Sequence, residues 1–459
     1  MTHKRSSYEE FYSSLWDAVQ WPLDQKSLAA EQITDKISQY AAVISKISNM
    51  EGNASTVTRQ QWAESLAVAS SFTDFRFSWT TEEMRKRANG WISTIAEHLG
   101  IDPATLSVDS DTFRIIYTSF VRPYFVSNSQ RNTVGQQSAQ QQNYVLMGEG
   151  ATSKSGNSGQ SDDARWRKHP QCIATFSWAL SHLREDAVAS TISSMLPVVL
   201  ALMEDYECQA KLWGLRMATA LLGRQEWTGF LRKSGIVGVI DKSVRACLLY
   251  RSDTKAIAAD LLASAFEAAV ASAHILYDDP QKSTYAEGWW LLVDKVVANE
   301  VYVSDNIAAS NVLCAQVGAL CGPLGCAIAR YLRPLVGILA QGLRTPVYLS
   351  QDICDLHLTI VRQLLVLIDA CPQRIHVYGP EIVAALAYSW AGSKHKTMNA
   401  TNVDELQQSI VNVVRRLEGI CPEETRACID RLHQSRPSIF AQWTAGASGA
   451  SNMTSIFSK

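Results

Sequence analysis

The chain has 459 residues, 47% of them hydrophobic and 19% charged, and its 42 basic and 44 acidic side chains leave a formal net charge of −2. That length suits two or three conventional domains or one extended repeat array, with enough apolar residue for a large core. The charge balance excludes a global pull toward nucleic acid or an anionic membrane, so neither is expected as a partner.

The first residues, MTHKRSSYEE, lack the apolar stretch of a secretory signal. From Ser6 to about Val126 the pattern is helical. Glu10, Trp16 and Val19 begin an amphipathic segment, and Ile33, Ile37, Tyr40 and Ile44 follow at helical spacing. Thr80-Thr81-Glu82-Glu83 predicts a capping-box start for the helix carrying Trp91, Ile92 and Ile95, and Asp102-Pro103 predicts another first turn. Residues 1–126 thus form an expected N-terminal helical region. Residues 127–165, rich in Gln, Ser, Gly and Asn, carry too little apolar surface to offset their ordering entropy and are expected to form a disordered loop. Residues 443–459 have the same composition and are expected to be a flexible tail.

Between them, residues 166–442 repeat a helical period. Ile353, Leu356, Ile360, Leu364 and Leu367 line one stripe, and Val361, Leu365 and Ile368 line the next. A helix apolar on two sides belongs in the middle of a stack. No sustained two-residue alternation occurs, so the class is all-α. The uncharged run from Asn306 to Ala329 is long enough to span a bilayer. Its Asn311, Gln316 and glycines, and the turn signal Gly322-Pro323-Leu324-Gly325, predict two short buried helices instead.

Three prolines, Pro197, Pro334 and Pro380, each precede an apolar run in the way a first helical turn tolerates, and they are 137 and 46 positions apart. The first gap is close to three times the second. A period near 46 falls in the range of HEAT-type helix pairs and places the intervening slots at Lys242 and Gly288. On this reading Met195–Met203 and Gln209–Leu222 are the helices of one hairpin, joined by the acidic turn Glu204-Asp205-Tyr206-Glu207, whose carboxylates can cap the second helix. Hairpins of this kind cannot bury both apolar faces alone, so they stack; the expected fold is a right-handed HEAT-like helical-repeat solenoid.

Four motifs carry a resemblance. Trp166-Arg167-Lys168-His169-Pro170 with Phe176-Ser177-Trp178-Ala179-Leu180 opens the set, and Leu196-Pro197 through Glu204-Asp205-Tyr206 to Lys211-Leu212-Trp213-Gly214 continues it. Leu324-Gly325 with Arg330-Tyr331-Leu332-Arg333-Pro334-Leu335 comes next, followed by Cys371-Pro372-Gln373-Arg374-Ile375 with Ser389-Trp390. In order and spacing they resemble the Tel-two-interacting protein two family, subunits of the TTT (triple-T) complex. Glu204, Val198 and Gln373 depart from its pattern. The resemblance implies a non-catalytic HEAT-repeat co-chaperone subunit held by two larger helical-repeat partners. Through the Hsp-ninety machinery it would support maturation of the phosphatidylinositol-kinase-related kinases (PIKKs), in the cytoplasm with the nucleus as a second compartment. It makes Trp166 and His169 structural.

The residues themselves offer little chemistry. Ten cysteines sit among aliphatic neighbours without a CxxC, so reduced buried thiols are expected. The pairs Cys354/His357 and Cys371/His376 lack an orienting third group, which argues against a cysteine-dependent hydrolase. Cys314, Cys321 and Cys326 lack the two-residue gaps of a zinc knuckle, and no phosphate loop follows a strand; no metal and no cofactor are expected. Arg85-Lys86-Arg87 shares its helix with Glu82 and Glu83 and reads as a solvated face. The candidate partner-binding residues are Asp205, Tyr206 and Lys211 at the hairpin turn, and the adjacent Trp289 and Trp290. Core packing is the stronger expectation for that tryptophan pair. An unrelated HEAT adaptor, in nuclear transport or phosphatase scaffolding, is the alternative function.

Overall fold

A computed structural model describes residues 58–77, 80–125, 165–249, 255–282, 284–303, 305–347, 350–394 and 400–440. The amphipathic segments before residue 58, the loop expected at 127–165 and the tail from 443 lie outside the described residues. The described residues are helical, with a single isolated bridge between Val108 and Leu183 as the extended pairing among them. The protein is an all-α helical-repeat fold whose chain divides into two compact units, Met1–Glu204 with Arg216–Lys233, and Asp205–Leu215 with Ser234–Lys459.

In the first unit, α1 (Arg59–Ser70) starts in a capping box. Gln61 N–H donates to Thr58 Oγ1 at 3.3 Å while Thr58 N–H donates to Gln61 Oε1 at 2.8 Å. Helix α2 (Glu82–Leu99) is capped by Thr81, which accepts from Met84 N–H, and ends at Gly100 with φ 71°. The cap is therefore one residue later than the Thr80-x-x-Glu83 box predicts. Met84 occupies the reciprocal position, and Glu82 and Glu83 act instead as first-turn charges favourable to the helix dipole. Asp102-Pro103 makes a turn closed by Leu106 N–H on Asp102 O, rather than a helix. Helix α3 (Ser110–Ile116) waits for Asp109, whose side chain accepts from Asp111 and Thr112 N–H.

Helix α3 runs through a π turn, Tyr117–Val121. Helix α4 (Gln171–Ser181) packs on α1, where the buried Thr175 hydroxyl donates to Ala67 O at 2.9 Å. Phe113, Tyr117 and Phe176 fill the space between α3 and α4. Trp166 is buried against the parallel ring of Phe125, and His169 lies on Tyr124, so both hold structure, as the resemblance implies. Helix α5 (Val188–Glu204) contains Pro197 in its interior. It begins seven residues before Met195 because Val188, Thr191 and Ile192 already lie on its buried stripe. Pro197 therefore interrupts a helix instead of leading one, leaving the Ser193 carbonyl without its usual i+4 donor. Helix α6 (Cys208–Leu222), whose residues up to Leu215 belong to the second unit and from Arg216 to the first, and helix α7 (Thr228–Ser234) follow.

The second unit is built in two helical layers. Helix α8 (Ile236–Cys247) packs on α9 (Lys255–Leu276). Helices α9, α11 (Ile307–Leu324), α13 (Gln351–Ala370) and α15 (Ala400–Ile420) then pack in succession as one layer. The other layer is the succession α10 (Thr284–Val303), α12 (Leu332–Gly342), α14 (Gly379–Ser393) and α16 (Pro422–Ser435). The slots at Lys242, Gly288, Pro334 and Pro380 fall on α8, α10, α12 and α14, so the period of about 46 marks every second helix, one helix pair per period. Helix α13 buries Ile353, Leu356, Ile360, Val361, Leu364, Leu367 and Ile368 between α11 and α15.

Three stretches, Glu185–Glu204, Ile257–Leu276 and Ile307–Gly342, are long and apolar enough to cross a membrane by length and composition. The first two bury 56% and 61% of their window within the protein, which accounts for much of their apolarity by helix packing. The third breaks at Gly325 (φ 49°), where α11 gives way to the 3-10 segment Gly325–Tyr331. The two short helices expected across Asn306–Ala329 are instead one 18-residue helix, α11, with Pro323 inside it, and the break comes at Gly325, the residue without a Cβ, where the 3-10 segment starts.

Candidate partner-binding surface

The hairpin turn supplies Asp205, Tyr206 and Lys211. Helix α5 ends at Glu204 and α6 begins at Cys208. Asp205 Oδ1 accepts from Glu207 N–H at 2.8 Å, so the acidic turn orders the chain entering α6. Tyr206 is 71% exposed and presents its ring outward, whereas Lys211 is buried. A lysine in that position covers apolar surface with its methylene stem.

The two tryptophans separate sharply. Trp289 is fully buried, with His274 edge-on at 4.8 Å between ring centroids and Tyr285 tilted at 6.5 Å. Trp290, about 100° further round α10, is half-buried; its indole N–H donates to Ala327 O at 3.3 Å. Arg330 lies over the Trp290 ring at 5.0 Å and beside Tyr331, whose hydroxyl donates to Asp294 at 2.6 Å. Partial burial and the carboxylate together push the Tyr331 phenol up to about 12. Trp290, Arg330, Tyr331 and Asp294 thus tie α10 to the segment entering α12, and Trp289 is core.

Sequence reading missed a groove of about 490 Å³ over α12, lined by Glu300 of α10, Arg333, Pro334, Gly337, Ile338 and Gln341 of α12, Arg344 just past it, and Glu381 of α14. The exposed members from α12 onward are Arg333, Gln341, Arg344 and Glu381. A Cβ added at Gly337 would meet nothing within 4 Å, so the floor is open. Among the described residues neither arginine is within ion-pair distance of a carboxylate. Spacing along α12 could have suggested a shared face for Arg333, Gly337 and Gln341; nothing local places Glu300 and Glu381 beside them.

The thiols and imidazoles are placed for packing. His357 is fully buried on α13 and its Nδ1 lies 2.8 Å from the buried Ser389 Oγ on α14. Burial drives its pKa down to about 4, while burial of Cys354 pushes that thiol up. Both members of the pair are held neutral, the opposite of a thiolate–imidazolium couple. Burial likewise pushes Cys314 and Cys321 up to about 12. Among the described residues no three His, Cys, Asp or Glu side chains cluster as metal ligands do. On α2, Arg85 and Arg87 pair with Glu82 and Glu83, which accounts for that basic run within its own helix.

A sequence profile of the Tti2 family matches residues 65–350 of the chain. No curated protein matches it. Among solved structures, the crystal structure of an engineered protein from a structural genomics consortium aligns over 96% of this chain and 98% of its own. It is 11% identical with a TM-score of 0.31, too low to carry any argument.

Proposed function

Because the chain belongs to the Tti2 family, we propose that it is a non-catalytic scaffold subunit of a TTT-like complex, gripping two larger helical-repeat subunits by stable burial of surface. In this role it supports maturation and stability of PIKK clients through the Hsp-ninety machinery, in the cytoplasm with the nucleus as a second compartment. The observation that carries the reading is the family match across residues 65–350, which spans both the hairpin turn and the start of the two-layer array. Stacked helical layers offer long exposed ridges, and ridges suit protein partners better than small substrates.

Affinity purification of the intact chain in mild salt tests this. Recovery of two large helical-repeat proteins in constant proportion is the expected result. Recovery of transport receptors or phosphatase subunits in their place would overturn it in favour of an unrelated adaptor.

A further inference from the structure

Two cysteines of the second unit meet from different elements. Cys326 is exposed and lies in the 3-10 segment Gly325–Tyr331. Cys371 is buried, only 3% exposed, at the C-cap of α13. Its Sγ lies 3.9 Å from the backbone carbonyl oxygen of Cys326, 45 positions away in the chain. The thiols also act on each other electrostatically: burial first, and then Cys326, push the Cys371 thiol up.

Their backbones differ in freedom. Cys371 N–H donates to Leu367 O at 3.1 Å, and the Cys371 carbonyl accepts from Arg374 and Ile375 N–H at 3.0 and 3.1 Å. Cys326 instead follows Gly325, at φ 49°, where α11 ends. A disulfide brings its two Cα atoms within about 7 Å, so Cys326 is the residue that moves and Cys371 is the anchor. Exposure divides the chemistry in the same way. An oxidant in solvent reaches Cys326, whereas Cys371 is shielded and held as the thiol. An accessible thiol beside a second one that can resolve it is the arrangement of redox-sensing cysteines.

We propose that hydroperoxides convert Cys326 and Cys371 into a reversible disulfide, which clamps the connector after α11 to the turn after α13. The Cys326 thiolate attacks one peroxide oxygen; the O–O bond breaks, and the departing hydroxide takes up the proton the thiol gave up. The Cys371 sulfur then attacks the sulfur of the Cys326 sulfenic acid. The S–S bond forms, the S–O bond breaks, and hydroxide leaves with the Cys371 proton as water. Two thiols thus lose two electrons, and hydrogen peroxide becomes two waters. The closed loop encloses α12 and α13, and the bond restricts its freedom in the unfolded chain. In a reducing compartment such bonds are transient, so thiol exchange restores the open form. The inference stands apart from the scaffold reading.

The test treats the full chain with hydrogen peroxide, blocks the remaining thiols with iodoacetamide and maps non-reduced chymotryptic peptides. Cleavage after Leu324 parts Cys321 from Cys326. A Cys326–Cys371 link is expected, lost with dithiothreitol and absent from the Cys326→Ser chain. In the Cys371→Ser chain, dimedone should trap Cys326 as its sulfenic acid. The oxidised wild-type chain should melt about 4 °C or more above the reduced one. The Cys326→Ser chain, altered only at an exposed position, should show no such rise, and this comparison decides the matter even if Cys371→Ser fails to fold. Cys326 sulfenic or sulfinic acid in the wild type without the link overturns the proposal. So does a dominant Cys321–Cys371 link, or a link found only between chains. A mapped link that leaves the midpoint unchanged overturns the clamp.

Discussion

The ring of Tyr277, just past α9, lies so close to Gly288 of α10 that a Cβ on the glycine would stand 2.5 Å from the tyrosine Cγ. The glycine here serves close approach between consecutive helices. Gly288→Ala must displace the ring near its root, and overpacking of this kind costs about 1–3 kcal/mol. The thermal midpoint should fall by roughly 2–4 °C for each kcal/mol in a unit of this size. Combining it with Tyr277→Ala should cost clearly less than the sum of the two single changes, as measured by calorimetry or denaturant melts.

The buried His357 makes stability depend on pH in a definite direction. Its folded pKa of about 4 lies below the ordinary value of 6.5, so the folded state prefers the neutral ring. That contribution is fully present above 6.5 and is lost as pH falls from 6.5 toward 4. By linkage the loss at pH 5 relative to pH 8 is about 2 kcal/mol. Urea midpoints at the two values, compared between wild type and His357→Gln, should show this extra sensitivity only in the wild type, since carboxylate effects common to both cancel in the difference.

The adjacent tryptophans should respond unequally. Trp289→Ala removes a fully buried ring and should cost about 3–5 kcal/mol. Trp290→Ala loses one hydrogen bond and the Arg330 stack on a half-buried ring, which together should cost roughly 1–2 kcal/mol. Equal losses in denaturant titrations would contradict the assignment of Trp289 to the core.

Native thiol labelling should discriminate among the cysteines. Cys326 is exposed, whereas Cys172, Cys247, Cys314, Cys321, Cys354, Cys371 and Cys421 are buried. Iodoacetamide at neutral pH, read by peptide mass mapping, should modify Cys326 first. Burial pushes Cys314 and Cys321 to about 12, and both should label only on unfolding. Early modification of Cys354 would reopen the Cys354/His357 pair as reactive chemistry.

The helical class, the repeat spacing and the twofold burial of α13 were legible because they are local. Ile353, Leu356, Ile360 and Leu364 share a stripe whatever surrounds them, and a proline near 334 or 380 has few other places to stand in a helix. Pro197 misled for the same local reason. It looks like a helix start, yet the apolar stripe from Val188 continues through it, and packing of that stripe outweighs one missing N–H. Thr80 misled by one residue, since two threonines in a row offer two caps and only the backbone path chooses Thr81.

By itself, then, the order of residues determined an all-α chain of paired helices, since apolar periodicity and capping act over a few positions; its expectation of buried thiols holds for seven cysteines and fails at the exposed Cys326 and the part-buried Cys208 and Cys428. Tertiary structure alone decided that Trp289 is covered while Trp290 is shared with Ala327 and Arg330, and that Arg333, Arg344, Glu300 and Glu381 line one groove. Those groups come from three helices and the turn after one of them. Their convergence depends on the register between helices, which is set by side chains meeting across dozens of intervening positions.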